Sequence, residues 1–199
     1  MSVQNLVLAH NDFESIIDDM AAYFKNDRRA QGYSAESKEL NELYESLQPV
    51  SLAVSYVSDG GNDQVIDRFV GDCKADLNAD SAGFHGKTSE YTKALESSHN
   101  QDDFSKRIDE MADKAKRDNA AVIDRWRDKA KKIYKENPEA GNAIVFAFQS
   151  VCSLANKVYS AIIDFFSSII QSVAKWLANA WSSIKNFFSD VAHVISGWF

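Results

Sequence analysis

Two prolines, two cysteines and eight glycines are all that 199 residues hold of the types that stop, staple or bend a chain. The prolines stand at Pro49 and Pro138, and between Asn142 and Ser196 there is neither Pro nor Gly. That last stretch therefore carries no obligate helix breaker. Cys73 and Cys152 both fall on apolar positions of predicted helices, which reads as buried free thiols; a disulfide would need those helices side by side. No cysteine or histidine spacing suits zinc. The four histidines (His10, His85, His99, His193) do not cluster with carboxylates at metal spacing and read as surface residues. No cofactor is expected.

Basic charge is also scarce. The formal net charge is −7, and residues 1–100 hold 8 basic against 17 acidic side chains. An acidic front argues against nucleic acid, whose phosphates need a basic field. It argues equally against strong attraction to anionic lipid. HExxH, GxSxG and GxxxxGK[ST] are absent, and no Ser or Cys is marked by a neighbouring base. Asp59-Gly60-Gly61-Asn62-Asp63 lacks the ligand alternation of a calcium loop and reads as a turn. The start, MSVQNLVLAHNDFE, has no basic segment and no long apolar run, so no signal peptide is expected. The longest run without charge, Ala140 to Asn156, is interrupted by Gly, Asn, Gln and Ser and is a poor spanning candidate. The localisation these features suggest is soluble, with peripheral membrane association or non-classical secretion.

What is present is helical periodicity, and the expected fold class is all-α. Asn11 with Glu14 suits a capping box for a first helix whose inner face is Phe13, Ile16, Ile17, Met20 and Phe24. A second helix from Ser34 presents Leu40, Leu43, Tyr44 and Leu47 and stops at Pro49. Residues 50–58 alternate like a strand but have no visible partner strand, so helix is preferred. A third helix from Asn62 presents Val65, Ile66, Phe69, Val70, Cys73 and Leu77. Gly83 and Gly86 place a loop at 78–88, followed by a weak helix from Ser89 to Ser97. The polar run at 97–103 reads as a linker. A charged helix then spans about Asp103 to Glu136, with Phe104, Ile108, Met111, Ala115, Val122, Trp126, Ala130 and Ile133 on a narrow stripe. The expected organisation is an acidic helical domain at 1–100, the charged helix at 101–138 and an apolar C-terminal region at 139–199.

That C-terminal region organises the chain. It holds seven of the twelve Phe and three of the four Trp. Its charges are Lys157, Asp164, Lys175, Lys185 and Asp190, joined by His193 when protonated. Val145, Phe148, Cys152, Ala155, Tyr159, Ile162, Phe166, Ile169, Val173, Leu177, Ala180, Ile184, Phe187, Val191, Val194 and Trp198 follow one another at steps of three and four. One extra step of four, a stutter, falls at Val173–Leu177. Flanking apolar residues, including Trp181, Phe188 and Ile195, broaden the stripe beyond a coiled-coil seam. The opposite face is Ser, Asn and Gln.

A continuous helix over this region would run roughly 88 Å. A compact chain of this size is only about 40–45 Å across. The tail must fold back, pair with other chains, or cover its stripe with lipid. Fold-back would have to turn at Ser167-Ser168, Asn179, Ser182-Ser183 or the stutter. The weakly charged, aromatic-faced pattern resembles lipid-packing-sensor amphipathic helices, which insert by apolar area. An assembly of such tails around a polar lumen is similar in architecture to α-helical pore-forming toxins, though no motif is shared.

The candidate membrane or oligomer face is Phe148, Tyr159, Ile162, Phe166, Ile169, Val173, Trp176, Leu177, Trp181, Ile184, Phe187, Phe188, Val191, Ile195 and Trp198. Arg125, Arg127, Lys131, Lys132 and Lys135 form either a salt-bridged helix face or a collar for phosphate head groups. The functional expectation is a non-enzymatic, membrane-active helical protein, a secreted effector or pore-forming toxin, with lipid and copies of itself as partners. The alternatives are a soluble scaffold with a protein partner and an oligomerisation helix, and, third, an enzyme whose site carries no motif.

Overall fold

A computed structural model describes residues 10–26 and 62–198. The expected second helix (Ser34 to Pro49), the ambiguous stretch 50–58 and the turn at 59–61 lie outside the described residues. Within them the chain is all-α, with no strand. The elements are α1 (His10–Lys25), α2 (Asn62–Ser98), α3 (Gln101–Glu136), a 3-10 turn (Pro138–Ala140), α4 (Gly141–Gln171), α5 (Val173–Leu177) and α6 (Ala180–Ser196).

α1 buries the five predicted residues Phe13, Ile16, Ile17, Met20 and Phe24, with Ala21 and Tyr23 beside them. It is already helical at His10, so Asn11 sits in the first turn and is not the cap. Glu14 is then free to reach His10 one turn back, at 3.3 Å.

α2 corrects the expected loop at 78–88. It runs unbroken through Gly83 and Gly86. Its inner face is Leu77, Ser81, Phe84, Thr88, Thr92 and Leu95, all buried. Those are helical steps, but half of the residues are polar, so hydrophobicity alone hides the period. The threonines are accommodated because each hydroxyl donates to the carbonyl one turn back, Thr88 to Phe84 at 2.7 Å and Thr92 to Thr88 at 2.8 Å. Gly83 and Gly86 lie on the exposed side.

The polar run at 97–103 shrinks to a two-residue turn. His99 takes a left-handed conformation, φ 53°, and its N–H donates to the Leu95 carbonyl at 2.8 Å. Asn100 then caps α3: its Oδ1 accepts the Asp103 N–H at 3.0 Å. α3 ends at Asn137-Pro138 as expected.

Two compact units account for the chain, Met1–Cys73 with Ala121–Ser153, and Lys74–Ala120 with Leu154–Phe199. In the first, α1 lies antiparallel to α3. Phe13 stacks on Tyr134 at 3.9 Å, and Lys25 reaches Asp124 at 2.8 Å. Ile66, Phe69, Val122, Trp126, Ile144 and Phe148 complete that core. In the second, α2 and α3 are antiparallel, with Arg107 over the Tyr91 ring and Lys114 over Phe84. α4 and α6 close the same unit.

Gly83 and Gly86 have nothing within 4 Å of where a Cβ would stand. Ala at either position is expected to stabilise the fold by about 0.5–1 kcal/mol, because Gly costs helix entropy and no contact opposes the methyl. Asn100→Ala is expected to cost about 1 kcal/mol through the lost cap. Urea unfolding followed by circular dichroism checks both signs.

Candidate functional site

The C-terminal region folds back as a helical hairpin. The first break is at Ser172, whose N–H reaches the Ile169 carbonyl at 3.3 Å. The second is at 178–179. Between them α5 occupies Val173–Leu177, the segment of the stutter. Asn179 takes the cap position of α6 without a side-chain capping bond. Ser167-Ser168 and Ser182-Ser183, the other candidate turns, lie within helices. There Ser167 and Ser168 bond back to the carbonyls of Ile163 and Phe165.

Partners along the hairpin step in opposite directions, which fixes it as antiparallel. Phe165 stacks on Phe187 with ring centroids 4.1 Å apart. Further out, Lys157 lies over the Trp198 ring at 5.2 Å. α6 also runs antiparallel to α2: Phe188 stacks on His85 at 5.0 Å, and the Trp181 indole N–H donates to Glu96 at 2.8 Å. α4 meets α2 through Tyr159, whose hydroxyl donates to Asp80, and through edge contacts of Phe84 with Tyr159 and Phe166. α4 meets α3 at Asn119, whose Nδ2 donates to the buried Asn156 Oδ1 at 2.7 Å.

The predicted apolar face is therefore largely core. Phe148, Tyr159, Ile162, Phe166, Ile169, Val173, Ile184, Phe188, Val191 and Ile195 are buried. Leu177, Phe187 and Trp198 are half-buried. The Trp176 side chain lies outside the described residues. Trp181, 42% exposed, is the one large apolar residue on the surface among those described.

Two details of the stripe are corrected. On α6 the buried line is Ala180, Ile184, Phe188, Val191 and Ile195, while Val194 and Phe187 sit to one side. A run of alternating three and four steps averages 3.5 residues per turn, whereas a straight helix has 3.6, so the extrapolated seam drifts off the true one. On α4 the first part of the polar face is not open to solvent: Asn156 is buried, and Ser153 and Ser160 are half-buried, while Ser168 and Gln171 further on are exposed.

The collar cations answer to carboxylates of the same chain. Lys131 reaches Asp18 at 2.7 Å and Glu14 at 3.9 Å. Lys135 reaches Glu14 at 4.0 Å. Arg127 engages Asp124 at 3.0 Å and Asp128 at 2.8 Å. Hydrogen bonding to Asp128 and the surrounding carboxylates hold its pKa above the usual arginine value. Arg125 and Lys132 are exposed and carry no ion pair among the described residues. The geometry is that of a salt-bridged helix face.

Neither Cys73 nor Cys152 is in a disulfide, and both are buried. Burial, and secondarily the neighbouring Cys73, push the Cys152 thiol well above its usual range. No group of three metal-ligating side chains occurs among the described residues. No described helix is long and apolar enough to cross a membrane. The chain matches no protein-family model, no curated protein and no solved structure.

A double-mutant cycle on Lys131→Met and Asp18→Asn is expected to give a coupling of about 0.5–1 kcal/mol that shrinks in 1 M salt, as suits a partly exposed pair. Ellman's reagent is expected to react slowly with the native protein and to count both thiols only after denaturation, because burial suppresses the thiolate.

Proposed function

We propose that the chain is a non-enzymatic, membrane-active helical protein, and that the closed hairpin is the stored form of its lipid-binding element. The observation that carries the reading is the one-sided anchorage of α6. Ile184, Phe188, Val191 and Ile195 face inward, while Ser182, Lys185, Asn186, Ser189 and Asp190 are exposed. Burying four such side chains stabilises the closed form by roughly 6–12 kcal/mol, an upper estimate against a fully extended chain. A lipid interface removes the same apolar atoms from water, so transfer from protein to lipid exchanges one cover for another. The hydrophobic term then changes little. What must be broken is a few polar contacts and a hinge that lacks a side-chain cap.

The ion pairing of the collar supports a lipid surface that need not be anionic, since most of those cations are already engaged. The oligomerisation-helix alternative has less in its favour. The stripe it needs is covered by the chain's own helices, so no second copy is required to hide it. Self-association belongs instead to the lipid-bound form of this proposal, where released hairpins lie close together.

The test is flotation and dye release with phosphatidylcholine vesicles. The wild type is expected to co-float, with affinity changing less than about 2-fold between 50 and 500 mM salt. Phe187→Asp, at a half-buried position on the hairpin, is expected to weaken binding by about 10–100-fold, with circular dichroism confirming that the variant is folded. A folded wild type that stays with the soluble fraction at every salt concentration defeats the proposal.

A further inference from the structure

Trp181 opens α6 directly after the uncapped break at 178–179. It is the one large apolar side chain left exposed among the described residues. Its ring is not idle. The indole N–H donates to Glu96 on α2 at 2.8 Å, and the Lys93 ammonium lies 5.9 Å from the ring centroid. Glu96 and Lys93 are themselves exposed.

We infer that Trp181, Glu96 and Lys93 form a clasp at the hairpin tip: Glu96 holds the tip closed, and Trp181 is the residue handed over to a zwitterionic phospholipid interface. The inference rests on the lipid reading above and adds its entry point and its restraint. Three features fit that occupant. An indole partitions to the headgroup boundary because its body is apolar and its N–H needs an acceptor. A lipid phosphate or ester carbonyl supplies the acceptor that Glu96 supplies in the closed form. Lys93, released from the ring, faces the same phosphate with its charge. The hinge makes the exchange local. α5 is only five residues long and is bounded by breaks on both sides, so the tip can lift before Phe188 leaves His85.

The clasp predicts that two changes act alike in buffer and oppositely on lipid. Glu96→Ala removes the acceptor and leaves the anchor. Trp181→Phe removes the donor and, with the indole, the part of the anchor that suits the headgroup boundary. A hydrogen bond to an exposed carboxylate is worth about 3–10-fold in an opening equilibrium. Amide hydrogen exchange over residues 173–183 is therefore expected to speed up by about 3–10-fold in both variants. Phosphatidylcholine flotation is expected to rise by a similar factor in Glu96→Ala and to fall in Trp181→Phe. Glu96→Gln, whose amide oxygen still accepts, is expected to stay near the wild type in both readouts.

Wild-type exchange and wild-type flotation in Glu96→Ala overturn the clasp while leaving the lipid reading intact. Flotation that falls in both variants overturns it as well, since Glu96 would then be aiding binding. If neither the wild type nor Glu96→Ala floats, the lipid reading fails and the clasp fails with it.

Discussion

The second unit depends on one aromatic layer. Phe188 lies between the His85 ring and the Phe165 edge. Phe165 stacks flat on Phe187, and Phe166 is packed against Phe84. Remove that layer and α6 keeps only the aliphatic line Ile184, Val191 and Ile195 and surface bonds worth about a kilocalorie each. The layer is also what permits the break before it. A chain that can bury Phe188, Val191 and Ile195 on folding back tolerates two interrupted turns and an uncapped helix start, whose orphan amides meet water at the exposed tip.

Polar contacts do a different task. The Asn119–Asn156 pair, the Tyr159–Asp80 bond and the threonine back-bonds of α2 sit inside or beside apolar surface. Each adds little net stability, yet each penalises a slipped alignment by stranding a buried polar atom. Asn119 already leaves its Oδ1 without a partner among the described residues, so this pair restricts register more than it adds strength. In the first unit, the acidic side of α1 does the corresponding work against Arg127, Lys131 and Lys135. Turning α1 about its axis would take Glu14 and Asp18 away from those cations.

The sequence was informative where apolar residues alone carry the period. The inner face of α1, the stop at Pro138 and the turn at the Val173–Leu177 stutter could all be read from spacing. α2 was not readable between residues 78 and 88, because Ser81 and Thr88 occupy core positions and two surface glycines imitate a loop, whereas its last part, Ser89 to Ser97, was legible as helix. The α6 stripe was displaced by one residue through the drift between 3.5 and 3.6. The fate of the collar was hidden for another reason. Lys131 and Asp18 are 113 residues apart, and no local pattern announces that they meet. The lone exposed Trp181 was among the face residues from the start, but only the fold separates it from its buried neighbours.

The spacing of the hairpin has a geometric result. Phe166 on α4 and Ile184 on α6 are eighteen residues apart in sequence, which is about five whole turns of an α-helix. Their buried lines would therefore coincide if Ser172 and residues 178–179 became helical. The same chain can be written as two short stripes that both pack on α2, or as one unbroken stripe along a rod of about 65 Å over residues 154–196. No side chain changes face between the two forms. The bent form covers the stripe with the chain's own helices; a straight form would leave all of it, in register, to be covered from outside.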